Sequence, residues 1–255
     1  MIDEILKDCK IPFVGNNDGV IFQSDCLDIM PLIPDNSIDC FVSDVPYKLV
    51  QGGVTGKLSA KITGVALNFE NQNTKNGNGN FNHNDIKFKD WLPNVYRILK
   101  QKSHCYIMVN DRNLQELMNE ATKNNFKLLN VLIWNKNNAM PNHWYMKNAE
   151  FICMFRKGGA KYINHQGSKQ IIKIDNVNKK NHPTEKPIDL MKILIGNSTN
   201  ENDIVIDTFM GTGSTILACK DLKRKFIGIE KESKYFDIAC QRLQILKDEK
   251  NENIL

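Results

Sequence analysis

The stretch Ile204-Val205-Ile206-Asp207-Thr208-Phe209-Met210-Gly211-Thr212-Gly213-Ser214-Thr215 joins an apolar run to a glycine turn and then to helix-forming residues. A short apolar run bounded by such a turn reads as a buried strand. Glycines let the backbone approach a ligand closely, and the free amides of a helix's first turn attract an anion. About fifteen residues later, Phe226-Ile227-Gly228-Ile229-Glu230 reads as a second strand ending in an acid, where a carboxylate can accept both hydroxyls of a ribose. Strand, turn, helix and strand at this spacing demand a parallel pair with a helical crossover.

The rest of the chain follows the same alternation. Strands are expected at residues 20–24, 37–43, 104–109, 127–134, 151–155, 203–209 and 224–230. Helices are expected at 91–99, 113–122, 187–198 (Pro187 in its first turn), 214–222 and 233–247. Alternating strands and helices form a mostly parallel α/β sheet with helices on both faces. We read residues 1–255 as one domain. Residues 48–89 break the pattern: Gly52-Gly53, Gly56, Gly64 and the tract Asn76-Gly77-Asn78-Gly79-Asn80 mark a long loop. Such a loop in a compact domain is a functional lid or a disordered segment, and its start behind a candidate active-site strand favours a lid.

Composition excludes several classes. Hydrophobic residues make up 41% of the chain and charged residues 25%, so a packed core is expected rather than disorder. No apolar run approaches the roughly 18 residues of a membrane span, and residues 1–10 lack the apolar region of a signal peptide. A cytoplasmic protein is expected. The seven cysteines, Cys9, Cys26, Cys40, Cys105, Cys153, Cys219 and Cys240, form no closely spaced pair. That spacing argues against a zinc site or a disulfide framework and for reduced core thiols. The net charge of +5 is concentrated between Arg156 and Lys180, where Lys157, Lys161, Lys169, Lys173, Lys179 and Lys180 face one acid, Asp175. Such a cluster either neutralises phosphates or is a solvated loop.

Ligands of such sheets bind outside the carboxyl ends of the strands. Besides Asp207 to Thr215, one other strand end is unusual: Asp44-Val45-Pro46-Tyr47. It offers a carboxylate, a backbone carbonyl, a rigid kink and an aromatic face. An exocyclic amine on a nucleic-acid base is a poor nucleophile because its lone pair is delocalised. Two acceptors aimed at its N–H groups would localise that pair, and Tyr47 would stack on a base swung out of the duplex. No metal is needed. Alone, the tetrapeptide reads equally well as a proline turn. The glycine turn alone also fits a dinucleotide, or no ligand. However, the full G-x-G-x-x-G is missing, and Asp207 would repel a pyrophosphate while suiting the cationic end of a methionine group.

As a set, these residues resemble the DNA amino-methyltransferases, which make N6-methyladenine or N4-methylcytosine from S-adenosylmethionine. Asp44, Val45, Pro46 and Tyr47 match the family's catalytic motif, Asp/Ser/Asn-Pro-Pro-aromatic, with valine replacing the first proline. Asp207, Phe209, Gly211 and Gly213 match its acid-x-Phe-x-Gly-x-Gly, with Ser214 and Thr215 opening the helix. His182-Pro183-Thr184-Glu185-Lys186-Pro187 matches its His-Pro-Thr-x-Lys-Pro, which implies that His182, Pro183, Thr184 and Lys186 lie against the methionine part of the cofactor. Asp25 and Cys26 resemble its adenine-contacting pair, and Glu230 its ribose acid. The resemblance covers most of residues 20–245. It implies a Rossmann-like methyltransferase fold with a seven-stranded sheet and one reversed strand, in the permuted β-type order with the catalytic motif first. At position 45 the carbonyl is retained and Pro46 holds Val45 extended, so activity is expected.

The same resemblance places target recognition at residues 157–181. Lys157, Lys161, Lys169, Lys173, Lys179 and Lys180, with Lys136, are the expected DNA contacts, mostly to backbone phosphates. Asn135, Asn142, His143, Trp144 and Tyr145 form a second candidate surface; Trp134 and Glu150 read equally well as core and ordinary hairpin residues. The implied partner is double-stranded DNA from a bacterial or phage source. A homodimer and a cognate restriction endonuclease are compatible with the sequence. Asp at the first motif position with Tyr at the fourth is commoner among the family's adenine enzymes, so N6-adenine is the expected product and N4-cytosine the alternative. A catalytically impaired DNA-binding module, motivated by Val45, is the alternative of another class.

Overall fold

The middle of strand Ile38–Asp44 is apolar because both of its faces are covered: Phe41 points into one apolar cluster, and Cys40 and Val42 into another. The computed structural model describes residues 11–16, 18–46, 86–140, 144–177 and 185–244. Its elements in chain order are β1 (Phe13–Asn16), β2 (Gly19–Gln23), α1 (Cys26–Ile29) with a 3-10 turn (Met30–Leu32), β3 (Ile38–Asp44), α2 (Phe88–Ile98), β4 (Leu99–Val109), α3 (Leu114–Lys123), β5 (Lys127–Met140), β6 (Lys147–Arg156), β7 (Ile171–Lys173), α4 (Ile188–Ser198), β8 (Ile204–Asp207), α5 (Ser214–Asp221), β9 (Lys225–Glu230) and α6 (Ser233–Leu243).

The strands form one sheet in the order β1-β2-β9-β8-β3-β4-β6-β5-β7. The seven strands from β2 to β5 are parallel except β6, which runs antiparallel to β4 and β5. This is the expected seven-stranded sheet with one reversed strand. Two short strands extend it to nine: β1 hairpins antiparallel onto β2, and β7 adds parallel to β5. Neither was expected. Phe13–Asn16 is too short to show a period, and Ile171–Lys173 lies inside the basic run.

Helices cover both faces. Phe88, Trp91, Leu92, Val95 and Ile98 recur at helical spacing and give α2 one apolar stripe, which packs with α1 and α3 on the first face. The Asp90 carboxylate accepts the Lys87 N–H at 2.9 Å and fixes the start of α2. That start lies three residues before the expected Trp91, so the loop expected over 48–89 ends earlier. Its residues 48–85 lie outside the described residues. On the opposite face, Leu190, Leu194, Ile216, Cys219, Phe236 and Cys240 bring α4, α5 and α6 onto the sheet. All six cysteines among the described residues are free and buried, as expected for core thiols.

The topology fixes where a ligand can sit. From β8 the chain crosses through α5 to β9 on one side, and from β3 it crosses through α2 to β4 on the other. The strand order therefore reverses between β8 and β3, and a crevice opens there at the carboxyl ends of the strands. The last residues of these two strands are Asp207 and Asp44.

Candidate active site

The turn after β8 is shaped by its glycines. Gly211 (φ +53°) and Gly213 (φ +83°) lie in the left-handed region, and a side chain at 213 would also press on Ala239. The turn is anchored to β9, since Met210 N–H donates to the Ile229 carbonyl at 3.0 Å. Glu230 completes the anchor: its carboxylate accepts Gly211 N–H at 2.9 Å and Glu232 N–H at 2.8 Å. Burial raises Glu230 to a pKa of about 7 despite these bonds. Asp207 accepts Ser43 Oγ at 2.6 Å and Phe209 N–H at 3.0 Å, and burial raises it to about 6. Among the described residues, the buried hydroxyls Thr208 Oγ1 and Ser214 Oγ have no hydrogen-bond partner. Unsatisfied buried hydroxyls beside open left-handed glycines suit a turn built to receive a polar ligand.

Asp25 and Cys26 stand next to this turn. Ser24 N–H donates to the Glu230 carbonyl at 3.0 Å, which sets the start of α1 against the end of β9. Asp25 caps that helix by accepting Leu27 N–H at 3.0 Å, and it pairs with Lys231 at 3.0 Å. Burial works against its ionisation, but these partners hold its pKa below the usual range. Cys26 is buried and its thiol is pushed up, mainly by burial. Phe209 packs edge-on against Trp91, which stacks on Phe41, so the residue between the acid and the glycines is held by the α2 face.

Across the crevice, Asp44 ends β3. Val45 behind it is 2% exposed and belongs to the core cluster under α2. The valine that departs from the family motif is thus held by packing, with Pro46 following it. Asp44 Oδ2 accepts a hydrogen bond from Lys186 Nζ at 2.5 Å, and that ammonium also lies 3.3 Å from Glu150 Oε2. Glu150 in turn pairs with Lys136, whose ammonium sits 4.7 Å over the Trp134 ring. Burial raises the Asp44 pKa; Lys186 opposes the shift and Glu150 adds to it. Burial also disfavours charge on Glu150, but Lys186 and Lys136 outweigh it and hold Glu150 below the usual glutamate range.

Most of the expected site is thereby brought to one crevice: Asp25, Cys26, Asp44, Val45, Pro46, Lys186, Asp207, Phe209, Gly211, Gly213, Ser214, Thr215 and Glu230. Tyr47, His182, Pro183 and Thr184 lie outside the described residues. Three links escaped the sequence. Ser43 reads as one more strand residue, yet its hydroxyl ties the strand end that carries Asp44 to Asp207. Glu150 reads as an ordinary hairpin residue. Arg242 lies on the last amphipathic helix, yet its guanidinium holds Thr212 (2.8 and 2.9 Å) and Glu185 (2.9 Å), tying the glycine turn to the residue beside Lys186. Its one sequence signal is its place at the edge of the Phe236, Ala239, Cys240 and Leu243 stripe.

The expected DNA contacts divide. Strand β6 runs away from the crevice, so the residues after it begin at the opposite end of the sheet. There Lys157 is buried, and its ammonium donates to Asn36 Oδ1 (2.9 Å), Arg97 O (3.1 Å) and Leu99 O (2.7 Å). Lys161 donates to the Ser198 carbonyl at 2.8 Å. These two lysines serve the fold at the end away from the crevice, contrary to the expectation. Lys136 is engaged by Glu150. Lys169 and Lys173 are exposed, and Lys173 stands level with Asn135 above the crevice end of the sheet. Lys179 and Lys180 lie outside the described residues. Trp134 is buried and donates to the Ile174 carbonyl at 2.8 Å, so it is core.

A family model described as DNA methylase, that of the N6/N4 methyltransferases, matches residues 38–241. The chain belongs to this family. It is 30% identical over 259 residues to Type II methyltransferase M2.MboI of Moraxella bovis, covering 92% of each chain. It is 30% identical over 260 residues to Type II methyltransferase M.HinfI of Haemophilus influenzae, covering 92% of this chain and 70% of that one. Its fold matches the M1.HpyAVI–SAM complex with a TM-score of 0.64 at 26% identity, over 87% of this chain and 98% of the other. PvuII DNA methyltransferase (cytosine-N4-specific) matches with a TM-score of 0.70 at 17% identity, over 96% and 91%, and shows the shared fold. The chain is therefore a DNA methyltransferase that uses S-adenosylmethionine. No helix among the described residues is long and apolar enough to cross a membrane.

Proposed function

We propose that this protein methylates the N6 amino group of adenine at a short specific site in double-stranded DNA, acting on a base swung out of the helix. The observation that carries this reading is the crevice between β3 and β8. Asp44 ends one strand, Asp207 ends the next, and Ser43, the residue before Asp44, donates to Asp207 at 2.6 Å. S-adenosylmethionine supplies a methyl group on a cationic sulfonium. Glu230 and the Asp25–Cys26 pair suit the ribose and adenine of that cofactor, and Asp207 and the glycine turn its methionine part. Asp44 accepts an N–H of the target amine and draws its nitrogen towards tetrahedral geometry, aided by the Val45 carbonyl. Positioning and preorganised electrostatics then supply most of the rate. Tyr47 stacks on the extruded base, whose target atom is unreachable in the duplex.

Adenine is favoured over cytosine by the pairing of Asp44 with Tyr47 in the catalytic motif. For the DNA face we favour the rim above the crevice. The β5–β6 hairpin stands roughly 15–20 Å beyond Trp134 at strand rise, and near its tip Trp144 and Tyr145 are 88% and 90% exposed. Lys173, level with Asn135 on the neighbouring strand, suits a phosphate beside it. Incubation of purified protein with DNA and cofactor, followed by nucleoside digestion and mass spectrometry, tests the base. N6-methyladenine that vanishes in Asp44→Ala supports the proposal, and N4-methylcytosine refutes the adenine assignment.

A further inference from the structure

Asp44 must offer a carboxylate oxygen to an incoming amine, yet in the free protein that oxygen is taken. Lys186 Nζ lies 2.5 Å from Asp44 Oδ2 and 3.3 Å from Glu150 Oε2. The lysine is 6% exposed, so water cannot readily replace either partner. An ammonium between two carboxylates can shift its shorter bond from one to the other by less than an ångström of movement at the end of a flexible stem. The second carboxylate is prepared for this. Glu150 sits on β6 two residues beyond Ile152, which pairs with Met108, itself paired with Asp44, so it overhangs the catalytic strand end. Lys136 holds it from the other side and is itself fixed over Trp134. The row Asp44, Lys186, Glu150, Lys136 carries two negative and two positive charges. A neutral amino group entering at Asp44 leaves that balance intact.

We propose that Glu150 is a positioning residue for methyl transfer, which takes the Lys186 ammonium over from Asp44 when the base arrives and so frees the catalytic acceptor. This rests on the methyl-transfer reading above. In the free protein Lys186 guards Asp44 and offsets the cost of burying its charge. In the complex the same ammonium is parked on Glu150, and Asp44 turns to the amine. Were Glu150 neutral, Asp44 would be the one carboxylate of this pair still holding the Lys186 ammonium, and the amine would compete with a buried ion pair for its acceptor.

The test compares wild type with Glu150→Gln, Glu150→Asp and the double variant Glu150→Gln/Lys186→Met, on an oligonucleotide carrying a mapped methylation site. For Glu150→Gln, kcat is expected to fall by about tenfold or more, the worth of one charge-assisted hydrogen bond, while the cofactor Kd stays within about twofold. Glu150→Asp restores part of kcat, and removing Lys186 in the Gln background raises kcat above that of Glu150→Gln alone. Among the described residues, the groups facing Asp44 are Lys186, Glu150 on β6, Lys136 on β5 and Asp207 on β8. Deleting the Glu150 charge lowers the Asp44 pKa, so the acid limb of the kcat profile moves to lower pH. A merely structural Glu150, or one that acts on Asp44 by its charge alone, would not give a kcat that rises when Lys186 is also removed. Unchanged kcat in Glu150→Gln, a loss that tracks cofactor affinity, or an unmoved acid limb overturns the proposal. If the wild type fails to turn over, the methyl-transfer reading falls instead. Carboxyl-carbon NMR titration of Asp44 in the free protein then still decides: an unchanged midpoint in Glu150→Gln overturns the coupling, and a lowered one supports it.

Discussion

Replacing Glu230 with glutamine changes one charge at the hinge between the glycine turn and β9 while leaving the side chain's size unaltered. Burial lifts this carboxyl from an ordinary glutamate value to about 7. A raised folded pKa means that the folded state favours the protonated form. The associated stability is present at low pH, below the unfolded value, and is lost as pH rises through about 7. Worked through the linkage relation with an unfolded value near 4.5, the loss between roughly pH 5 and pH 8 is about 2.5 kcal/mol. Glutamine cannot ionise and escapes that loss. It has a fixed cost of its own, because its amide NH₂ must face Gly211 N–H or Glu232 N–H, and one charge-assisted bond worth about 1.5–3 kcal/mol disappears at every pH above the titration. The two effects separate in the pH dependence. Urea denaturation of cofactor-free wild type and Glu230→Gln at about pH 5 and pH 8 should show the variant gaining about 2.5 kcal/mol on the wild type across the range. Asp207 titrates nearby but is common to both proteins. A difference that is the same at both pH values would refute the argument that Glu230 is a strained, buried carboxylate held for a ligand.

The remaining predictions are briefer. Asp44→Asn should lower kcat by about 10²–10³ and leave cofactor affinity within a few-fold, read by single-turnover kinetics and titration. Gly213→Ala should destabilise the protein by about 1–2 kcal/mol and weaken cofactor binding, because φ is +83° and Ala239 lies 3.3 Å from the new Cβ. Lys157→Ala should cost about 2–4 kcal/mol in urea denaturation, since three oxygens lose a buried ammonium donor, and should leave the salt dependence of DNA binding unchanged. Lys173→Ala should do the reverse, with stability intact and the salt slope reduced by about 1.

The crevice was legible because its chemistry is local in the chain. Asp207 to Thr215 is a contiguous strand, turn and helix, and its register against Glu230 follows from one crossover. Asp44 announces itself as an acid before a proline at a strand end. The links between these segments were not legible, because they are made by single polar side chains from distant elements. Ser43 reaches Asp207 across 164 positions, and Arg242 joins Thr212 to Glu185 from the last helix. Nothing in a period of 2 or 3.6 marks such residues. The basic run misled for the same reason. Charge density shows that lysines are close in sequence, but the reversal of β6 decides which end of the sheet they reach. Lys157 falls at the far end and fills a cage of oxygens, while Lys173 returns on β7 to the rim. The expected helix start at Trp91 missed Phe88 because the apolar stripe begins inside a segment dominated by glycine and asparagine.

The central claim is that the crevice between Asp44 and Asp207 transfers a methyl group to adenine in DNA. Expression of the gene in a host free of DNA methylation, with modified bases mapped by direct sequencing of its DNA, tests this most directly. The account predicts N6-methyladenine at one short recurring site, absent when Asp44→Ala is expressed at equal level. Unmodified DNA from cells that hold folded, cofactor-binding protein would contradict it.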